Sequence, residues 1–212
     1  MILKDRRHAG RLLAEKVKKT LVDKNAIVFG ITRGGVVVAD EIARRLKLPL
    51  KIIVIKKIGA PLNPELAIGS IAPEGVVYWE ESLINDLSVS EEYKKEAFKQ
   101  KNKEREDLER FLINKKARIK ISEKTILLVD DGVATGSTVL GAALYFRKKK
   151  AAKIHLLTPI IAKDVKRMIE NFFDSIISIE APARLNAVGQ FYEKFDSIEN
   201  IEVKDIIERQ KI

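Results

Sequence analysis

Two adjacent carboxylates, Asp130 and Asp131, stand between an apolar run and a short glycine- and hydroxyl-bearing segment in Thr125-Ile-Leu-Leu-Val-Asp-Asp-Gly-Val-Ala-Thr-Gly-Ser-Thr138. Ile126 to Val129 show no polar alternation, which reads as a strand buried on both faces of a parallel sheet. The acids then emerge at its carboxyl end, the edge at which open α/β sheets take ligands. In the loop that follows, Gly132 and Gly136 let the backbone approach a ligand, and Thr135, Ser137 and Thr138 offer hydroxyls. Free N–H groups come next, where a helix from Val139 to Arg147 opens. Such donors, aided by the helix dipole, stabilise a dianionic phosphate. Carboxylates beside a phosphate would repel it, so the acids need a partner of another kind: neutral sugar hydroxyls, a divalent metal or a developing cation. A ribose 5-phosphate supplies both ends.

Other readings of these residues explain less. An apolar strand ending in two acids also suits a P-loop nucleotidase, but that fold needs G-x-x-x-x-G-K before Ser or Thr, and here Ser137 follows Gly136 directly. No other glycine cluster supplies the lysine, and the dinucleotide pattern G-x-G-x-x-G is absent. A phosphohydrolase would need D-x-D spacing or a histidine nucleophile. The plainest alternative, a tight turn with solvated acids, leaves the combination of strand, acids and hydroxyl loop without a purpose. His8 and His155 have no metal-ligand spacing and, with Trp79, read as structural.

The elements that must hold these groups alternate along the chain. Asp5 can cap a first helix in which Leu12, Leu13, Val17 and Leu21 share a face. Ala26 to Ile31 is a short buried strand running into Thr32-Arg-Gly-Gly35. A helix from Val36 to Leu46 and a strand from Leu50 to Ile55 complete a βαβ unit. Pro61 and Pro64 then mark an irregular loop, and Ala67 to Ala72 and Val76 to Glu80 read as two strands joined at Pro73-Glu-Gly75, a hairpin placed like a lid. Glu91 to Leu112 is a charged helix with Tyr93, Ala97, Leu108, Phe111 and Leu112 as its few anchors and a solvated remainder. After the central stretch come a strand from Ile154 to Ile161, a helix from Lys163 to Phe173 and a strand from Ile176 to Ile179.

This alternation predicts an α/β fold with a doubly wound, mostly parallel, Rossmann-like sheet. A single domain over residues 1–212 is expected, with a loop and hairpin excursion at 55–80 and a small C-terminal hood and tail at 180–212. Arg33 is either a helix-entry residue or a ligand contact, and its place at the same sheet edge as Asp130 favours the second. Lys56 or Lys57, closing a strand, can reach an anion. Phe191 and Tyr192 are either core aromatics or a platform for a base.

With 212 residues, 46% hydrophobic and 33% charged, the chain can bury one sizeable core. The lack of cysteine excludes disulfides and thiolate chemistry and suits a reducing cytosol. Met1-Ile-Leu-Lys-Asp5 runs directly into charged residues, so no signal peptide is expected. No apolar run is long enough to span a bilayer, and a cytoplasmic, membrane-free protein is expected. The net charge of +10 invites a nucleic-acid partner, yet basic residues are interspersed with acids, especially from Glu91 to Lys120. No aromatic-rich basic patch stands out. A Lys-rich surface that steers a polyanionic ligand is the simpler account.

Val129 to Thr138 resemble the ribose-phosphate signature of type I phosphoribosyltransferases, enzymes that use phosphoribosyl pyrophosphate. Asp5-Arg-Arg-His-Ala-Gly-Arg-Leu-Leu-Ala14, Arg33-Gly-Gly35, Lys57-Ile-Gly-Ala-Pro-Leu-Asn-Pro-Glu-Leu-Ala-Ile-Gly69 and Ala187-Val-Gly-Gln-Phe-Tyr192 are similar to a bacterial and archaeal branch of that family. The resemblance implies transfer of the 5-phosphoribosyl group to a nitrogen acceptor such as a nucleobase, with release of pyrophosphate. It implies that Asp130 and Asp131 hold the 2'- and 3'-hydroxyls, and that Gly132, Val133, Ala134, Thr135, Gly136, Ser137 and Thr138 bind the 5'-phosphate. Arg33, Gly34, Gly35 and Lys57 would meet the pyrophosphate, and residues 57–69 would form a mobile loop that closes over the donor. Phe191 and Tyr192 would border the acceptor. Magnesium would be held mainly by the substrate, with no direct protein site, and a homodimer is implied by analogy.

Two departures from the family pattern narrow the expectation. Members acting on 6-oxopurines carry an acid at the position of Ala134 and often a lysine at that of Ser137; this chain has neither, which argues against hypoxanthine, guanine or xanthine. Leu185-Asn186 stand where the branch has aromatic residues. The alternative is a regulator that senses the same sugar donor and binds nucleic acid, although no helix-turn-helix signature precedes the domain.

Overall fold

The computed structural model describes residues 1–20, 23–113 and 120–209. Leu21, expected on the buried face of the first helix, and the last three residues of the tail lie outside them. Asp5 caps α1 (Arg6–Thr20) by accepting a hydrogen bond from the His8 N–H at 2.7 Å. β1 (Ala26–Ile31) leads through Thr32 and Arg33 into α2 (Gly34–Leu46), and β2 (Leu50–Ile53) returns parallel to β1 with Leu50 opposite Val28.

The chain then leaves the sheet. β3 (Lys56–Ala60), β4 (Asn63–Ile71) and β5 (Val77–Trp79) form a separate antiparallel sheet in the order β3-β4-β5. The segment around Pro61 and Pro64, expected as an irregular loop, is therefore mostly strand. The prolines are accommodated because Gly59 pairs with Ala67 while Ala60 pairs with Asn63, so that residues 64–66 are extra on one side, a bulge where the missing Pro64 N–H costs no ladder bond. Ile58, Ala60, Ile68 and Ile71 pack in one cluster with Ile84 of α3 (Glu81–Asp86) and Tyr93, Ala97 and Phe98 of α4 (Glu91–Leu112). Ser90 caps α4, its hydroxyl accepting from the Tyr93 N–H at 3.2 Å.

The parallel sheet resumes with β6 (Thr125–Val129), followed by α5 (Ser137–Lys148), β7 (Lys153–Ile160), α6 (Lys163–Ile169), β8 (Ser175–Glu180) and α7 (Asn200–Arg209). Its order is β2-β1-β6-β7-β8 and every pairing is parallel. Side chains on β1 and β6 alternate between two cores. Val28, Leu127 and Val129 pack with Leu13, Val17, Val36, Ile42, Val203 and Ile206 from α1, α2 and α7. Ile27, Phe29, Ile126 and Leu128 pack with Leu140 and Phe146 from α5. Each such fully buried side chain contributes about 1.5–3 kcal/mol, which is why these strands carry no polar alternation. A fourth cluster seats the C-terminal hood: Leu3 bridges to Tyr192, and both pack on Ala9 and Ile160.

Candidate functional site

From β1 the sheet grows outward in two directions, to β2 on one side and β6 on the other, so the switch point of the fold lies between β1 and β6. A crevice opens there beyond the carboxyl ends of the strands. Gly30 pairs with Val129, which sets Thr32-Arg-Gly-Gly35 beside Asp130 and Asp131. The crevice is a cavity of about 320 Å³ bounded by residues 130–136 and Thr138, by Ile31 and Thr32, by Ile55 and Lys57, and by Val188 and Phe195 of the hood. Its floor is the turn into α5. Gly136 takes φ +84°, a left-handed conformation that a side chain would oppose, and Ser137 opens the helix behind it. The Ser137 hydroxyl is buried (4% exposed) and, like that of Thr32, has no hydrogen-bond partner among the described residues. Ser70 of β4 donates to the Ser137 carbonyl at 2.6 Å, tying the antiparallel sheet to this turn.

The acid doublet is balanced from two sides. Burial pushes the Asp130 carboxyl well above the usual carboxylate range, and the Asp131 charge adds to that; the Asp131 N–H, donating to Asp130 Oδ1 at 2.9 Å, and the Lys57 ammonium pull the other way. Asp131 accepts from Arg6 Nε at 2.6 Å, an ion pair with both side chains largely buried. Tyr192 donates its hydroxyl to the Asp131 carbonyl at 2.7 Å, and burial raises its phenol above the ordinary value. Asp131 is thus held through its side chain by α1 and through its backbone by the hood.

Among the residues singled out from the sequence, Asp130 to Gly136, Thr138 and Lys57 line one cavity. The Val133 N–H is already donated to the Ile160 carbonyl at 2.8 Å, so Val133 offers the cavity its side chain and not its amide. Gly34 lies against Asp131; a Cβ there would collide with the Asp131 carboxylate and come within 2.7 Å of Arg6 Nε. Gly35 is buried under the doublet, Arg33 is exposed at the start of α2, and the Thr32–Arg33 peptide is cis. Of the other residues singled out, Arg33, Gly34, Gly35, Ser137, Phe191 and Tyr192 do not border the cavity; Phe191 is half-buried and Tyr192 is buried in the hood core. The aromatic ring that does border it is Phe195. Sequence reasoning passed over Arg6, Thr32, Val188 and Phe195. Arg6 and Val188 lie within quoted motifs, Asp5 to Ala14 and Ala187 to Tyr192, but spacing alone does not single out either.

Residues 2–189 match the family model described as phosphoribosyl transferase domain, and the chain belongs to that family. It is 32% identical over 209 residues to proteins named as phosphoribosyl transferases in two strains of Mycobacterium tuberculosis. That alignment covers 97% of this chain and 46% of theirs, so the chain spans about half the length of these curated relatives. A crystal structure from Thermus thermophilus superposes with a TM-score of 0.81 at 28% identity, covering 99% of each chain. An Aquifex aeolicus structure shares the fold at TM-score 0.55 and 15% identity, covering 87% of this chain and 78% of that one.

Proposed function

We propose that this chain transfers the 5-phosphoribosyl group of phosphoribosyl pyrophosphate to a nitrogen acceptor, with release of pyrophosphate. One observation carries the reading: the acid doublet, the turn into α5 and Lys57 border the same cavity. The cavity therefore combines acceptors for a diol, a donor-rich helix start for a phosphate and a cation for a diphosphate. Family membership supports the same chemistry.

Departure of pyrophosphate leaves positive charge on the ribose C1. Asp130 and Asp131, fixed before the reaction, stabilise that charge while holding the hydroxyls. Lys57 and the amides near Gly34 and Gly35 receive the leaving group. Tightening of the β3–β4 hairpin over the cavity excludes water, which would otherwise hydrolyse the donor. Among the described residues no cluster of three or more acidic or histidine side chains is assembled. The two adjacent carboxylates Asp130 and Asp131 are hard oxygen donors that suit magnesium, which would be carried chiefly by the diphosphate and would neutralise charge on the leaving group.

Val188, Phe195 and Ala134 all border the cavity, and Val188 and Phe195 are assigned to the acceptor because they supply its apolar and aromatic wall. No acid stands at position 134, which favours a heterocycle other than a 6-oxopurine. Mass spectrometry of the protein with phosphoribosyl pyrophosphate, magnesium and a panel of nucleobases and related nitrogen heterocycles tests the reading. A new nucleotide with stoichiometric pyrophosphate is expected; donor turnover or binding undetectable with every member would refute it.

A further inference from the structure

Arg6 lies outside the glycine turn, the acid doublet and the hairpin, yet it contacts both Asp131 and the C-terminal hood. Only 8% of the residue is exposed. Its Nε donates to Asp131 Oδ2 at 2.6 Å and its Nη1 donates to the Asp196 carbonyl at 2.8 Å. Its guanidinium lies 3.8 Å from the centroid of the Phe195 ring. Phe195 in turn stands 4.8 Å from the Tyr192 ring, and the Tyr192 hydroxyl returns to the Asp131 carbonyl. The result is a closed loop of contacts: Asp131, Arg6, Phe195, Tyr192 and back to Asp131. Asp131 and Phe195 both border the cavity, on the sugar side and on the hood side.

A buried arginine in this position has a specific physical use. Two neighbouring carboxylates repel each other, and one of them takes up a proton unless cations compensate. Lys57 stands near Asp130 from an exposed position on a hairpin, whereas Arg6 grips Asp131 from the first turn of a packed helix. A guanidinium can bond a carboxylate along one edge and stack an aromatic ring on its face at the same time, which an ammonium cannot.

We propose that Arg6 is a positioning residue for the phosphoribosyl donor: it orients Asp131 toward the sugar diol and locks the hood wall at Phe195 to that acid. The inference rests on the donor-binding reading of the cavity. It assigns Arg6 an effect on ligands that carry the diol and little effect on the bare leaving group.

Calorimetry with ribose 5-phosphate and, separately, with inorganic pyrophosphate and magnesium separates this role from a merely structural one. Arg6→Gln is expected to weaken ribose 5-phosphate tenfold or more while pyrophosphate stays within twofold. Arg6→Lys, which keeps the charge but loses the stack, is expected to recover part of the loss. Arg6→Gln combined with Asp131→Asn is expected to bind no worse than Asp131→Asn alone, since Arg6 acts through that carboxylate. Phe195→Leu, which leaves the ion pair in place, reports on the stacking arm if Arg6→Gln fails to fold; it is expected to weaken ribose 5-phosphate by a smaller factor. Equal weakening of both ligands, wild-type binding of ribose 5-phosphate by Arg6→Gln or Phe195→Leu, or full additivity with Asp131→Asn would overturn the assignment. If the wild-type protein binds neither ribose 5-phosphate nor the pyrophosphorylated donor, the reading of the cavity itself fails, and the inference falls with it.

Discussion

Asp130 shows how a site residue trades stability for readiness. Its carboxyl is pushed up by burial and by Asp131, so between the ordinary carboxylate range and the raised value the ligand-free folded protein keeps a proton there that the unfolded chain releases. Stability must then fall as pH rises from the ordinary carboxylate range through the raised value, and the penalty persists above it. Asp130→Asn keeps an oxygen for the Asp131 N–H and removes the charge. It is expected to raise the Tm of the ligand-free protein by a few degrees at neutral pH and to leave it unchanged in acid below the ordinary carboxylate range; an equal gain at both pH values would contradict the assignment. Ser137 makes a complementary case, since its hydroxyl is buried without a hydrogen-bond partner among the described residues, a condition that costs about 1–3 kcal/mol. Ser137→Ala should leave Tm equal or higher while weakening ribose 5-phosphate about fivefold in calorimetry, the value of about one hydrogen bond. A lower Tm with unchanged affinity would mean that the hydroxyl serves the fold and not the phosphate.

Among the elements, the β3–β4 hairpin is the one whose attachment to the rest can be tested cleanly. The Tyr93 hydroxyl of α4 donates to the Gly59 carbonyl at 2.9 Å, where β3 faces the bulge in β4. Tyr93→Phe keeps the ring in its small core and removes that bond. It should cost about 1 kcal/mol and raise hydrogen-exchange rates in β3 and β4 while β1 and β6 stay protected; uniform change across both sheets would show that the hairpin is not a separate opening unit. The same elements show what a sequence makes visible. Ala26–Ile31 and Glu91–Leu112 match their expected bounds, because unbroken apolar runs and a capped charged helix are local signals. β3 was hidden because its sequence mixes lysines and a glycine and ends at Pro61, and its pairing depends on a bulge that no local pattern announces. α7 went unread because its buried residues are few, Val203 and Ile206, and their partners lie on α1, α2 and the sheet. For the site, the doublet and the turn after it were legible as one contiguous stretch, whereas Arg6 and Phe195 depend on contacts across 125 and 189 positions of the chain.

At the scale of the whole molecule the formal charge of +10 admits two uses, and the arrangement of charges favours one of them. Many cations are already engaged by neighbouring acids. On α4, Lys94 pairs with Glu91, Lys101 with Glu104 and Arg105 with Glu109. On α2, Arg44 pairs with Asp40 and Glu41. Such pairing offsets part of the excess charge on these helices, and what remains is a net positive field. A field of this kind raises the encounter rate with a small polyanion and is screened by salt. The association rate of phosphoribosyl pyrophosphate, followed by stopped flow, should therefore fall about threefold or more between ~0.05 and ~0.5 M salt, with the dissociation rate nearly constant. Binding of a labelled DNA duplex or single-stranded RNA, followed by anisotropy, should vanish by ~0.2 M salt, as expected of weak counterion-driven contact. Complexes that survive that salt and are released by the sugar donor would instead make the chain a donor-sensing regulator, with the cavity as its sensor and the unpaired cations as its contact surface.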